Sequence, residues 1–274
     1  MPPAQFATLA TVQQAVLDLM SGSEPQFWAI GIRLFQAFAT IRIVWFGVQV
    51  MLRGRGICDD IYEFAELLLL IATGVAMTTF YDSPIPGIGI SFSNLVPSGA
   101  QFFANILDAR ALEQTFYHLD ALAAKFVIPG VLSILENLLY WVILLVLAAT
   151  KMVALLIVMG GLIGQALCVL IGGIFVPFYV VPELDFIFWG WFKALLAASF
   201  TQVIAFGYLM IFSRFLDRLV ITIPDGLAST QFPVYGVEVV ALIGAFALGA
   251  LGIPFLVGFI FSGSHVPKIS LPGL

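Results

Sequence analysis

Residues 171–209 of the chain read IGGIFVPFYVVPELDFIFWGWFKALLAASFTQVIAFGYL. The stretch opens on two glycines, continues into an aromatic turn between two prolines, and enters a second apolar run through Trp-Gly-Trp. Tryptophan is enriched where helices meet the membrane–water interface, and glycine and proline commonly interrupt or end helices. The order predicts two membrane-spanning helices, with a glycine hinge near the end of the first and a tight interfacial turn between them.

The composition of the whole chain favours a membrane environment. Of the 274 residues, 61% are hydrophobic and 10% are charged, and the mean hydropathy is +1.08. A water-soluble chain is about a quarter charged and just under half apolar. The net charge of -5 offers no broad basic surface to a phosphate backbone, so any nucleic-acid contact is expected to be indirect or transient.

The expected fold is all-α and polytopic. A span needs roughly 20 largely apolar residues, and six windows meet this requirement. Only Thr150 and Lys151 separate the third window from the fourth, so one long helix through Lys151 would leave five spans and move the C-terminus to the cytoplasmic side. Pro254 should kink the sixth window. The windows are residues 28–51, 61–80, 126–149, 152–176, 188–212 and 236–261.

Five segments follow from these windows. The first is predicted to hold an amphipathic helix that lies at the membrane surface and stops at Ser21 and Gly22. The segments are an outer N-terminal part (1–27), a first helical hairpin (28–80), a large periplasmic loop (81–125), a C-terminal bundle of spans (126–262) and a short tail (263–274).

Loop charges predict the orientation, because Lys and Arg near span ends are retained in the cytoplasm. No basic residue precedes the first span, whereas Arg53 and Arg55 follow it. This pattern places the N-terminus outside and Lys151 in a cytoplasmic turn. The loop 81–125 contains two amphipathic helices, which could lie on the bilayer, plug a lumen or dock a partner.

Several ionisable residues fall inside the predicted spans, where such groups normally face a cavity or a partner. One interpretation is an ion path or proton relay; the favoured one is salt bridging between helices, with snorkelling near the interfaces. Only Glu136 lies deep, and its expected partners are Arg42 and Lys193. Glu63 and Glu66 share a face near the cytoplasmic end of the second span. The four candidates inside spans are Arg33, Arg42, Glu136 and Lys193.

Two stripes of small residues are typical of close helix packing. Gly160 and Gly164 form one stripe in the fourth window. Ala241, Ala245 and Gly249 form the other in the sixth window. Such stripes serve packing within a chain and association between chains equally well.

No motif for catalysis or metal binding is present. His118 and His265 share no metal-ligand spacing, and the sequence has no nucleophile elbow, zinc-protease motif or phosphate-binding loop. The expected protein is not an enzyme and uses no cofactor.

The stretch 171–209 resembles the TrbL family, the polytopic inner-membrane subunit of type IV secretion systems and the family of the sixth VirB component. Members carry a span that ends in an apolar-Pro-Phe segment, a short loop, and an aromatic helix start with tryptophan. The corresponding residues are Pro177 and Phe178, the turn 182–185, and Trp189 with Trp191. The layout of an outer N-terminal segment, two early spans, a large outer loop and a cluster of spans is also similar.

The resemblance implies a multimeric scaffold and conduit in the bacterial inner membrane, with a periplasmic N-terminus, that supports pilus assembly and the transfer of DNA or protein. The implied partners are the major and minor pilins, the bitopic assembly factor, the secretion ATPases, further copies of the chain and the lipid bilayer. One difference is that the family's loop is commonly basic, whereas this chain carries Glu183 and Asp185 there. The alternative is a stand-alone secondary transporter or channel that uses the intramembrane charges.

Overall fold

A computed structural model describes residues 4–53, 57–107, 110–126, 134–224 and 231–262. The tail 263–274, with His265, lies outside them. All regular structure in the described ranges is helical, which confirms the all-α prediction there. The helices are α1 (Ala4–Arg53), α2 (Ile57–Thr79), α3 (Phe92–Ile106), α4 (Ala111–Lys125), α5 (Ile134–Phe175), the 3-10 helix Val176–Val180, α6 (Asp185–Thr222), α7 (Phe232–Leu251) and α8 (Ile253–Ser262).

Five helical segments in the described ranges are long and apolar enough to cross a membrane, which indicates a multi-pass membrane protein. They are Gln26–Leu52, Ile61–Thr79, Ile134–Val180, Asp185–Thr222 and Phe232–Phe261.

Helix α5 is continuous through the predicted break. It comprises 42 residues, about 63 Å of helix. Thr150 turns its hydroxyl back to donate to the Val146 carbonyl at 2.8 Å, and Lys151 donates to the Asp120 carboxylate of α4. The predicted cytoplasmic turn at Lys151 is therefore wrong, because both polar side chains find partners without interrupting the helix.

Helix α1 also runs past a predicted stop. Its backbone is helical from Ala4 to Arg53 and includes Ser21 and Gly22. A glycine inside a helix costs only about 1 kcal/mol, which the apolar turns that follow outweigh. The amphipathic segment 1–27 is thus not a separate helix where the structure describes it.

The predicted kink at Pro254 is confirmed. Helix α7 ends at Leu251, α8 begins at Ile253, and the Gly252 N–H donates to the Gly249 carbonyl at 3.0 Å. Proline has no N–H and crowds the carbonyl four residues before it, so the regular ladder cannot continue.

The chain forms two compact units. Unit 1 comprises residues 1–99 and 162–196. In it, α1 and α2 pack against each other and against the 3-10 helix. Its main core cluster consists of Tyr81, Val169, Val176, Phe188, Trp191 and Leu195.

Unit 2 comprises residues 100–161 and 197–274. Its core joins α4 to parts of α5, α6 and α7 through buried residues such as Leu119, Ile143, Leu216 and Val239. The apolar face of α4 is therefore covered by protein, which excludes the bilayer surface as its cover. At the end of α3, by contrast, Phe102, Phe103 and Ile106 are exposed.

Candidate functional site

Two contacts, one near each end of the first hairpin, fix how α1 and α2 lie against each other. Near one end, the Trp28 indole Nε1 donates to the Thr78 carbonyl at 3.1 Å. Toward the other end, the rings of Phe46 and Phe64 lie 5.5 Å apart. The two helices thus run antiparallel along the length of their apolar segments.

The turn between α5 and α6 packs against this hairpin. The ring centroids of Phe38 and Phe178 lie 5.3 Å apart, and Val180 is fully buried. A Cβ added to Gly74 of α2 would lie 2.7 Å from the Val180 side chain and 2.6 Å from the Phe35 ring. Because Gly74 has no side chain, the 3-10 helix can approach α1 and α2 together.

A cavity of about 590 Å³ lies next to this turn within unit 1. A second cavity, of about 350 Å³, includes Arg42 and Glu183 in its lining. Arg42 borders both. The polar and turn residues that line the larger cavity are Arg42, Gln49, Glu63, Glu66, Tyr179 and Pro182, and we call it the Arg42 cavity.

Arg42 holds a positive charge between the two cavities. Its Nη1 lies 3.9 Å from Glu183 Oε1, and the two side chains are 25% and 72% exposed. Its Nε is buried and has no hydrogen-bond partner within the described part of the chain. An unsatisfied buried donor costs about 1–3 kcal/mol, so packing stability alone does not account for Arg42 at this position.

The predicted glycine hinge is a packing contact. In a helix, the carbonyls of Cys168 and Val169 accept hydrogen bonds from N–H groups four residues on, where both residues are glycines. With no Cβ above them, these carbonyls also accept from Trp191 Nε1, at 2.8 Å, and from the Tyr81 hydroxyl. A Cβ on Gly172 would lie 2.0 Å from that hydroxyl. The helix continues through the pair as far as Phe175.

The second glycine of the pair lets α1 cross α5 closely. A Cβ added to Gly31 would lie 2.0 Å from the Gly173 carbonyl oxygen. One added to Gly173 would lie 3.4 Å from the Trp28 Cα. Such backbone-to-backbone approach requires glycine on at least one helix.

The predicted intramembrane charges occupy different surroundings. Arg42 pairs with Glu183, which the sequence assigned to an outer turn. Arg33 and Lys193 are exposed, and Glu136 is half-buried in the first turn of α5. A carboxylate is favourable in that first turn because the helix dipole is positive there.

The residues that resemble the TrbL motif are mostly interior. Pro177 and Trp191 are buried, Phe178 is half-buried, and Trp189 is 45% exposed. The two tryptophans were predicted as a pair of interfacial anchors. Only Trp189 has the exposure that such an anchor needs, since Trp191 belongs to the core cluster of unit 1.

The glycine stripe of α5 lies beside a packing contact of unit 2. A Cβ on Gly160 would meet no atom within 4 Å, and Gly164 is half-buried. The neighbouring Gly161 is the close contact, since its added Cβ would lie 3.2 Å from the Gln202 backbone nitrogen of α6. Because the helix face at Gly160 has no neighbour within the described residues of the chain, association between chains through this face stays a prediction.

The stripe of α7 is in contact at one of its three positions. Ala241 and Ala245 are exposed. Gly249 faces the Tyr208 hydroxyl, 2.5 Å from an added Cβ, and that hydroxyl donates to the Phe246 carbonyl at 2.8 Å. Gly249 thus makes room for a tyrosine that ties α6 to α7.

The polar side of α4 is paired with neighbouring helices of unit 2. Three side-chain pairs make this contact: Ser213 with Gln114 at 3.5 Å, His118 with Asp217 at 4.0 Å, and Lys151 with Asp120. His118 lies against α6, and its side chain is 18% exposed. Within the described residues, no group of three or more His, Cys, Asp or Glu could hold a metal ion.

Comparison with protein-family models and with curated proteins gives no match to this chain. The assignment of function therefore rests on the residues and contacts described above.

Proposed function

We propose that the protein is a multi-pass scaffold and conduit subunit of a type IV secretion system in the bacterial inner membrane. One observation carries this proposal: the residues that resemble the TrbL family build the interior of unit 1. Trp191 bonds to α5, and Phe178 contacts Phe38 of α1. A motif that joins several helices of the fold is better evidence for a shared architecture than an interfacial tryptophan would be.

The proposed topology has five spans, a periplasmic N-terminus and a cytoplasmic C-terminus. An odd number of spans puts the two termini on opposite sides. The first span usually dominates orientation. No Lys or Arg stands in residues 1–27, and Arg53 and Arg55 follow the span, which favours the periplasm for residues 1–27.

The proposed partners are the pilins, the bitopic assembly factor, the secretion ATPases and further copies of the chain. The end of α3 is the best contact surface for the pilus or the transferred substrate, because it lies in the proposed periplasmic loop. Its Phe102, Phe103 and Ile106 side chains are exposed, although the Phe103 ring also lies 6.3 Å from that of Phe200. Exposed aromatic residues of this kind mark interaction surfaces.

The test is purification of the tagged chain at native expression in mild detergent, with identification of the co-eluting proteins. We expect pilin and secretion ATPases with the wild type, and loss of pilin on combining Phe102→Ala with Ile106→Ala. The matched control combines Leu138→Ala with Leu145→Ala, exposed positions on α5 that should face lipid. A folded chain that elutes alone contradicts the proposal.

The second candidate is a stand-alone secondary transporter or channel, which the charged lining of the Arg42 cavity favours. Its test is proton flux into liposomes that contain the purified protein. A transporter predicts flux that Arg42→Gln or Glu136→Gln abolishes. Flux no greater than in protein-free liposomes excludes this candidate for protons.

A further inference from the structure

The turn between α5 and α6 lies level with the middle of the first hairpin, within unit 1. The turn residues Tyr179 and Val180 pack against Leu70 and Ile71 of α2, which lie close to the centre of the segment Ile61–Thr79. On α1, Glu183 reaches Arg42, ten residues before the segment ends at Leu52. Ten helical residues span about 15 Å, so the turn lies about half a bilayer core from that end.

A turn at this depth needs a polar environment. Irregular backbone inside the hydrocarbon region is tolerated only where it is buried in protein or lines a water-filled cavity. The Glu183 side chain is 72% exposed, and a carboxylate in contact with lipid is costly. Protein atoms therefore do not shield this turn by themselves.

The Arg42 cavity meets this need by its position and its lining. Pro182 and Tyr179 border it at the turn, and Arg42 separates it from the second cavity. Gln49, near the end of α1, and Glu63, near the beginning of α2, also line the cavity. At about 30 Å³ for each water molecule, its volume of about 590 Å³ corresponds to about 20 waters.

We propose that the Arg42 cavity is a water-filled vestibule, open at the end of the hairpin where α1 ends and α2 begins, that reaches the turn between α5 and α6 at mid-membrane depth. This inference rests on the crossing of the membrane by α1 and α2, which is part of the proposed function. Arg42 lines both cavities, whereas Glu183 lines only the second one, so the vestibule solvates the guanidinium that pairs with Glu183 while lipid covers the outer faces of both helices.

The test is the accessibility of single cysteines to a membrane-impermeant maleimide in native membranes, applied from each side. Cys58 and Cys168 are first replaced by alanine. Gln49→Cys and Pro182→Cys report the vestibule. Val44→Cys and Leu68→Cys are controls at similar heights, at exposed positions outside the lining of the cavity.

We expect Gln49→Cys and Pro182→Cys to react from the same side, and both controls to react only after denaturation in detergent. No reaction at Pro182→Cys before denaturation would show a dry turn and overturn the vestibule. Reaction of all four positions would overturn the membrane placement of the hairpin. Neither outcome depends on the partners of the chain, so failure of the vestibule is distinguishable from failure of the secretion assignment.

Discussion

Gly172 is where two side-chain donors reach the backbone of α5. The Tyr81 hydroxyl and the Trp191 indole bond to neighbouring carbonyls, and the hydrogen at the Gly172 Cα leaves the space that both groups occupy. The helix gives up some intrinsic stability for this, since glycine is about 1 kcal/mol worse than alanine in a helix. The close approach of Tyr81 and Trp191 to α5 therefore depends on glycine at position 172.

Gly172→Ala should destabilise the protein by about 1–3 kcal/mol through overpacking, because the new methyl group would lie 2.4 Å from the Trp191 ring. The measurement is the melting temperature of the detergent-solubilised protein. Gly190→Ala is the matched control, since its methyl group meets no atom within 4 Å and the melting temperature should be unchanged or higher. Equal effects of the two substitutions would contradict the packing role.

Gly172 and Gly173 show that the role of a residue cannot be predicted from its neighbours in the sequence alone. A Gly-Gly pair was interpreted as a hinge because glycine weakens helices, whereas its partners, Gly31 and Tyr81, lie far away in the chain. Trp189 and Trp191 were both predicted to be interfacial anchors, because they stand next to the same turn in the sequence. Their exposure differs because Trp191 faces α5, and helix adjacency is not encoded locally.

The pairing of α4 with α5 explains why α5 is unbroken. A lysine within an apolar run predicts a loop when its partner is unknown. The partner is Asp120, 31 residues earlier on an amphipathic helix, so Lys151 remains in the helix with its charge paired. The apolar face of α4 was predictable from its periodicity, but its covering by unit 2 was not.

Lys151→Asp should destabilise unit 2 by about 0.5–1 kcal/mol, a range that allows for the partial exposure of the pair. Combining it with Asp120→Lys reverses the pair and should restore most of the lost stability. Melting temperatures of the wild type, both single variants and the double variant give the coupling. Additive losses in the double variant would show that the two residues do not interact.

Composition was enough to predict an all-α membrane protein, but it did not predict which charged residues pair with each other. Arg42 was recognised as a candidate because it interrupts an apolar segment. Its partner Glu183 was missed, since the turn was expected at an interface. Of the two acidic residues in the turn, Glu183 is the one that pairs with Arg42.

The number of spans is the central claim, because an odd or even count decides whether the two termini lie on opposite sides of the membrane or on the same side. The most direct measurement places a short epitope at each end of the chain and tests antibody access in intact and permeabilised spheroplasts. Five spans with the proposed periplasmic N-terminus predict that the N-terminal epitope is reached in intact spheroplasts and the C-terminal epitope only after permeabilisation. Both epitopes reached in intact spheroplasts, or both protected, would require an even number of spans and contradict the account.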